Sequence, residues 1–459
     1  MQSANRTTRI ARAACALAAA AALAATATPA QADPAWGLTS QVDVGVNGAR
    51  PDHQSTALGV SADGRYALFS SEATNLLPGT GTGTITFGLY VRDLRNGRTE
   101  LVSLADDGTP LAGVGEAAGI SGDGRYVVFS SGAANAVPGQ PAKGWGNVYV
   151  RDRATGHTQL VTAGTASGGD QTRNGAWAPS ISADGQYVAY MSTRTDLVPG
   201  AATKPDARNV YVTDRSTGTT RLVTTGADGN PASADSGNAV ISADGSTVGF
   251  SSKASNLIPP AQGAPDAELL RLRYTSLYTY DLDSGRTTLA SLDATGGSGS
   301  AAPAIRLSPD GRYAVYALGA TPLPGGKART ELFIHDLWTD DVKSIRTSAN
   351  PAAVCWADPS AAITADDQWI YFSGGCSDTV IPANKARYDL YRQDLTTGHT
   401  EPISTAPDSA EENGSAYGPF PADDGATVVF TSTSTNLVPG SSGTGSGSWQ
   451  VYARTLSDD

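Results

Sequence analysis

The sequence predicts an all-β fold, a seven-bladed β-propeller built from four-stranded antiparallel blades, on three observations. The run SGDGRYVVFSS at residues 121–131 returns in close copies beginning near residues 61, 182, 242 and 308, with weaker copies near 364 and 422. Taking the residue before the turn glycine or its equivalent as marker, Asp63, Asp123, Asp184, Asp244, Asp310, Asp366 and Asp424 define seven units, recurring at intervals of roughly 60 residues. No stretch between them carries the 3.6-residue apolar period of a helix.

Each unit reads in the same order. A short apolar stretch such as Ala118-Gly119-Ile120 forms the first strand and meets the Asp123-Gly124 turn. Two residues of Asp-Gly type between apolar runs predict a type I′ hairpin, because Gly accepts positive φ and the turn twist matches the flanking strands. The second strand follows, as in Arg125-Tyr126-Val127-Val128-Phe129, and after a looser segment comes a third, seen in NVYVRD, NVYVTD, SLYTYD and DLYRQD. A tight turn such as RATGHT then leads to a fourth strand, for instance residues 158–162. Four short strands per unit, repeated in series, are the signature of propeller blades.

The run SADGRYxxFSS, followed by NLVPG and then VYVRDxxTG, resembles the WD40-like PD40 repeats of TolB-type propellers, and the nearest resemblance is to secreted actinobacterial proteins of that kind. The resemblance spans nearly all of residues 33–459 and implies the propeller fold; it carries no single activity, since propellers host many unrelated tasks. TolB itself resembles a six-bladed propeller behind an α/β domain, whereas seven units and no such domain are read here, so TolB's partners do not transfer.

Ring closure is legible at the two ends. The last unit supplies ATVVFTST and WQVYARTL and stops at Asp459 without a fourth strand, while LTSQVDVGVNG near the start aligns with the outer-strand segment HTQLVTAGTASGG. An N-terminal strand is therefore expected to complete the last blade, which removes the open seam of the ring. The first-to-second and third-to-fourth connections are tight and share one face. The longer connections share the other, where binding residues of a rigid scaffold concentrate.

Residues 1–32 read as a secretory signal peptide, with Arg6, Arg9 and Arg12, an Ala/Leu run and the small-residue site Ala30-Gln31-Ala32; the run is too short and Ala-rich for a good membrane span. The propeller is assigned to 33–459 and the location to the cell exterior. Removing three Arg and no acid changes the formal charge from -12 to -12 - 3 = -15, which disfavours nucleic acid and anionic membranes as partners. A monomer is expected. Cys15 would leave with the signal, so Cys355 and Cys376 remain, and in an oxidising compartment a disulfide within the sixth unit is expected.

The repeated acids read as structure. Asp63, Asp123, Asp184, Asp244 and Asp310 fit hairpin positions, and Asp93, Asp152, Asp214, Asp281, Asp336 and Asp394 precede the next turn, where a carboxylate accepts backbone N–H bonds. No cofactor or metal site is indicated: no oxygen-ligand spacing matches a calcium loop, and His53, His157, His335 and His399 fall in unlike places. A propeller lyase resembling oligogalacturonate lyase would need clustered metal-binding His. No G-x-S-x-G elbow occurs. Asp170, Asp235 and Glu412 are the carboxylates considered for acid/base work on the long-loop face. For ligand contact the candidates are Trp145, Trp177, Trp356, Trp449 and Tyr417 in or beside long loops, with Arg306 as a lone charge on an apolar inner strand. The function expected is a binding scaffold for an extracellular protein or cell-envelope glycan, with a carbohydrate-active hydrolase or lyase as the alternative.

Overall fold

The computed structural model describes residues 36–78, 87–139, 146–163, 175–259, 275–292, 301–320, 329–348, 354–377, 388–407, 412–438 and 448–456. Residues 1–32, assigned above to a signal peptide, lie outside these. The described chain forms seven antiparallel sheets, six of them with their strands in sequence order from the channel outward. In the first blade they are Ser55–Val60, Tyr66–Ser71, Gly88–Asp93 and Arg98–Leu101. The sixth blade departs slightly, its inner strand being split into Val354–Ala357 and Ala362–Ile363.

The seventh blade contains Ala416–Pro421, Thr427–Ser432 and Gln450–Leu456, and its outer strand is Trp36–Gln41 from the other end of the chain. Thr39 pairs with Arg454 and Gln41 with Tyr452, and the Val42 N–H donates to the Val451 carbonyl at 2.8 Å. Val42 is fully buried between this blade and the first, against Ala57, Phe69 and Leu76 on one side and Val451 and Val429 on the other.

The second and third strands lie in the middle of each blade and are covered on both faces, which is why they read as apolar runs. Each blade carries one stacked aromatic pair across these strands, such as Phe69 on Tyr90 and Phe430 on Tyr452.

The repeated Ser-x-Asp-Gly-x-Tyr pattern has a different geometry from the expected type I′ turn. The Gly64 N–H donates to the Ser61 carbonyl, so Ala62 and Asp63 are the central turn residues, and only Gly64 has positive φ, at 68°. This is a type I turn followed by a left-handed glycine in a bulge. The side chains select it: Ser61 Oγ donates to Asp63 Oδ1 at 2.7 Å, that carboxylate accepts the Arg65 N–H, and Ser61 Oγ accepts the Tyr66 N–H. The same three bonds recur at Ser121, Asp123 and Tyr126. Glycine has a second reason to be there: a Cβ on Gly124 would collide with the Tyr66 ring of the preceding blade, and one on Gly185 with Tyr126.

These turns also join the blades. Around the channel Ala365 N–H donates to Asp423, Asp423 to Ala62, Ala62 to Gly122, Gly122 to Ala183 and Ala183 to Ala243, all through backbone carbonyls. At the seam between the fifth and sixth blades the corresponding position is Pro309, which has no N–H to donate. Further out, Arg153 and Arg215 reach back so that Tyr66 lies between Arg65 and Arg153, and Tyr126 between Arg125 and Arg215. The acids after the third strands act as expected from the sequence. Asp152 accepts the Ala154 N–H, and it also takes Arg125 in a two-pronged ion pair that holds its carboxyl far below the ordinary range.

Candidate functional site

Six inner-strand pairings shift register, for instance between Ala57 and Gly59, Val114 and Ala118, and Tyr417 and Phe420. Bulges of this kind re-aim side chains where strands border a functional surface. At the last of these Gly418 takes φ 59°, and Tyr417 is turned toward the channel mouth.

That mouth, on the long-loop face, opens into a funnel of about 710 Å³. Its wall includes Ser55 and Thr56 from the first blade, Phe87, Tyr417 and Trp449 as aromatics, and the carboxylates Glu72, Glu116 and Asp358. Tyr417 sits between Tyr388 and Trp449, with ring centres 5.0 Å apart on both sides. Trp449 is fixed through its own carbonyl, which accepts the Ser55 N–H at 2.8 Å across the seam where the ring closes.

Arg306 reaches into the funnel from the inner strand Ala301–Leu307 of the fifth blade. It is also part of the wall of a second, smaller cavity of about 210 Å³ toward the tight-turn face, bounded by Val60, Ile120, Ile181, Ile241 and Ile363. The guanidinium therefore stands between the two compartments of the channel. At the same register the other blades place Gly59, Gly119, Ser180, Val240, Ala362 and Phe420, so the fold itself does not require a cation there. Its hydrogen bond is a 3.3 Å contact with the Ile305 carbonyl, and among the described residues it has no ion-pair partner. Desolvation lowers its pKa, and the Asp358 carboxylate acts in the opposite direction. Asp358 itself accepts the Ser360 N–H at 2.8 Å.

Of the sequence-derived ligand candidates, Tyr417, Trp449 and Arg306 come together in this funnel. Trp177 lies on the inner strand of the third blade opposite Met191, and Trp356 lies on the split inner strand of the sixth, over Gly375; neither borders the funnel. Trp145 lies outside the described residues. Cys355 and Cys376 are directly opposite one another in the strand pairing of the sixth blade.

Asp235 and Glu412 do not converge. Asp235 pairs with Arg208 at the start of the fourth blade, whereas Glu412 is buried between the sixth and seventh, accepting hydrogen bonds from Ser404 Oγ at 2.7 Å and Ser434 Oγ at 2.8 Å. Burial, with the nearby Asp389 adding to it, pushes Glu412 up to about 8. Asp170 lies outside the described residues. The four His are dispersed as read from the sequence; His335, for example, is buried between the Ala290 carbonyl and Asp340. Among the described residues no group of three His, Cys, Asp or Glu is placed to hold a metal.

Sequence reasoning missed Phe87, Tyr388, Glu72, Glu116 and Asp358, which become neighbours only once the ring closes. Glu412 had a signal within the repeats. At the start of the third strand and after the fourth, the second and third blades carry the pairs Asn147 with Thr162 and Asn209 with Thr224, joined by 3.0 Å hydrogen bonds. The sixth blade puts Asp389 at the Asn position and Ser404 at the Thr position.

No protein-family model and no curated protein matches the sequence. Among solved structures, the chain is similar to the oligogalacturonate lyase of Vibrio parahaemolyticus, with a TM-score of 0.52 and 13% identity over 93% of this chain and 99% of that one. It is similar to an acylaminoacyl peptidase solved with Z-Gly-Gly-Phe-chloromethyl ketone, at TM-score 0.50 and 13% identity, over 88% of this chain and 52% of that one. TolB from Acinetobacter baumannii matches at TM-score 0.37 and 15% identity, over 87% and 82% of the two chains. At such identities the likeness is one of fold.

Proposed function

We propose that this protein is an exported binding scaffold that holds an extracellular protein or a cell-envelope glycan in the funnel on its long-loop face. The observation that carries this reading is the meeting of Tyr417, Trp449 and Arg306, from two different blades, in one cavity of about 710 Å³. Its size lies within the roughly 300–1,000 Å³ common for ligand sites, and an aromatic wall set with a small number of charged side chains, Glu72, Glu116, Asp358 and Arg306, suits specific contact. The rings bury much area at small entropic cost. Screening a glycan array and isolated envelope proteins, followed by calorimetry on variants, tests it. Trp449→Ala should weaken the ligand found by about 2 kcal/mol or more, the scale of an aromatic hot spot. Full affinity in Trp449→Ala and Tyr417→Ala would overturn it.

A carbohydrate-active hydrolase or lyase is the second reading, favoured by the three carboxylates Glu72, Glu116 and Asp358 in the same wall, since paired carboxyl groups perform glycoside cleavage. Release of new chain ends from a bound polysaccharide, lost in Glu116→Gln, would support it. Binding without turnover would remove it.

A further inference from the structure

The funnel carries charges of both signs. Three carboxylates, Glu72, Glu116 and Asp358, line the funnel together with the aromatic rings, and Arg306 stands where the funnel meets the smaller cavity. Glu72 and Glu116 have no ion-pair partner among the described residues, and the Arg306 guanidinium has none either. The Arg306 side chain is half-buried, uses one neutral carbonyl as acceptor and feels Asp358 without forming an ion pair with it, so most of its N–H donors remain for a ligand. A planar guanidinium is also the side chain best shaped for a carboxylate, which it binds through two parallel N–H bonds.

We propose that the funnel receives the carboxyl-terminal end of a peptide, its terminal carboxylate paired with Arg306 and a Lys or Arg side chain a few residues earlier held by Glu72, Glu116 and Asp358 against Trp449 and Tyr417. This rests on the reading of the funnel as a binding site and names the ligand class. An acidic glycan would satisfy Arg306 but would set its own charges against the three carboxylates in the wall, and a neutral glycan would leave both sets of charges unmatched. A peptide end supplies an anion and a cation on one chain. The aromatic rings add cation–π attraction for the basic side chain.

The test uses the full chain and a fluorescein-labelled pool of hexapeptides, randomised except for a Lys two residues before the end, prepared once as free acids and once as carboxyl-terminal amides. Fluorescence polarisation should show the free-acid pool binding about tenfold or more tighter than the amide pool, the usual worth of a charge-assisted pair. Arg306→Gln should abolish that difference, Arg306→Lys should retain part of it, and exchanging the fixed Lys for Glu should weaken the free-acid pool. Should Arg306→Gln fail to fold, the acid-to-amide ratio on the unaltered protein and the Lys-to-Glu exchange decide the matter. Equal affinity for acid and amide, or a preference that survives Arg306→Gln, overturns the proposal. Tight binding of an acidic oligosaccharide that needs Arg306, Tyr417 and Trp449 would also overturn it, while leaving the funnel as the binding site. Binding of any ligand that ignores Tyr417 and Trp449 would instead defeat the reading of the funnel itself.

Discussion

Replacing Val42 by Ala tests how far the ring depends on the strand contributed by the beginning of the chain. Val42 is fully buried and fills the seam between the seventh and first blades. The substitution removes two carbons, worth about 1.6 kcal/mol in lost transfer energy at about 0.8 kcal/mol each. Rigid sheets on both sides limit relaxation, so a cavity contribution raises the total to about 2–3 kcal/mol. Because every blade contacts its neighbours, the loss should register in the global melt. At about 2 cal/mol/K per residue the unfolding entropy of a chain this long turns that loss into a lower Tm by about 2–4 °C. Circular dichroism melts measure it, with Ser40→Ala as control, since Ser40 is exposed two residues earlier in the closing strand and surface changes stay within about 0.5 kcal/mol. Removing residues 33–48 should cost more than Val42→Ala, because the last strand then also loses its backbone partners. A melt of Val42→Ala that matches Ser40→Ala would refute the claim that this strand closes the ring.

Gly124→Ala should destabilise the protein by about 2 kcal/mol or more, because it combines a φ of 70° with a collision against Tyr66; denaturant unfolding checks it, and an unchanged midpoint would remove the interblade role given to the turn glycine. Cys355 and Cys376, opposite one another in the strand pairing, should be bonded in protein prepared under oxidising conditions, adding roughly 3 kcal/mol in the chain-entropy account, and mass spectrometry without reduction reads this directly, two free thiols being the contrary result. Stability should fall as pH rises from about 4.5 to about 8. Glu412, pushed up to about 8, and Asp43, buried and pushed up to about 6, keep protons that the unfolded chain releases, and each costs up to about 1.4 kcal/mol per pH unit within its window. Glu412→Gln should flatten the upper part of that slope in melts across pH, and an unaltered slope would mean that Glu412 is ionised in the fold. The ion-paired Asp152, held low by Arg125, acts in the opposite sense and accounts for loss of stability only at acid pH. Trp338→Ala, on the tight-turn face where Trp338 is 70% exposed, should leave ligand affinity unchanged in calorimetry.

The blade count, the strand order and the closing strand were legible because a propeller repeats one local pattern, and each unit restates the same turn and the same apolar runs. The turn type was not legible from Asp-Gly alone. The choice between the two hairpin geometries was made by the Ser61 hydroxyl, which seizes Asp63 and the Tyr66 N–H together, and by the Tyr of the preceding blade, which occupies the space above the glycine. Arg306 stood out because a charge interrupts an apolar strand. Its position between two cavities follows from closure of the ring, which no local pattern encodes. Trp177 and Trp356 illustrate the same limit: proximity to a long loop in sequence does not say which way an inner strand turns its side chain once a bulge intervenes. Glu72, Glu116 and Asp358 belong to the first, second and sixth units, and only the circular arrangement makes them neighbours.

The most direct test of the central claim is a crystal structure with the ligand found by array or peptide screen. The account predicts that ligand in the long-loop funnel, in contact with Tyr417 and Trp449 and reaching toward Arg306. A ligand seated on the opposite face, over the tight turns and Trp338, would contradict it.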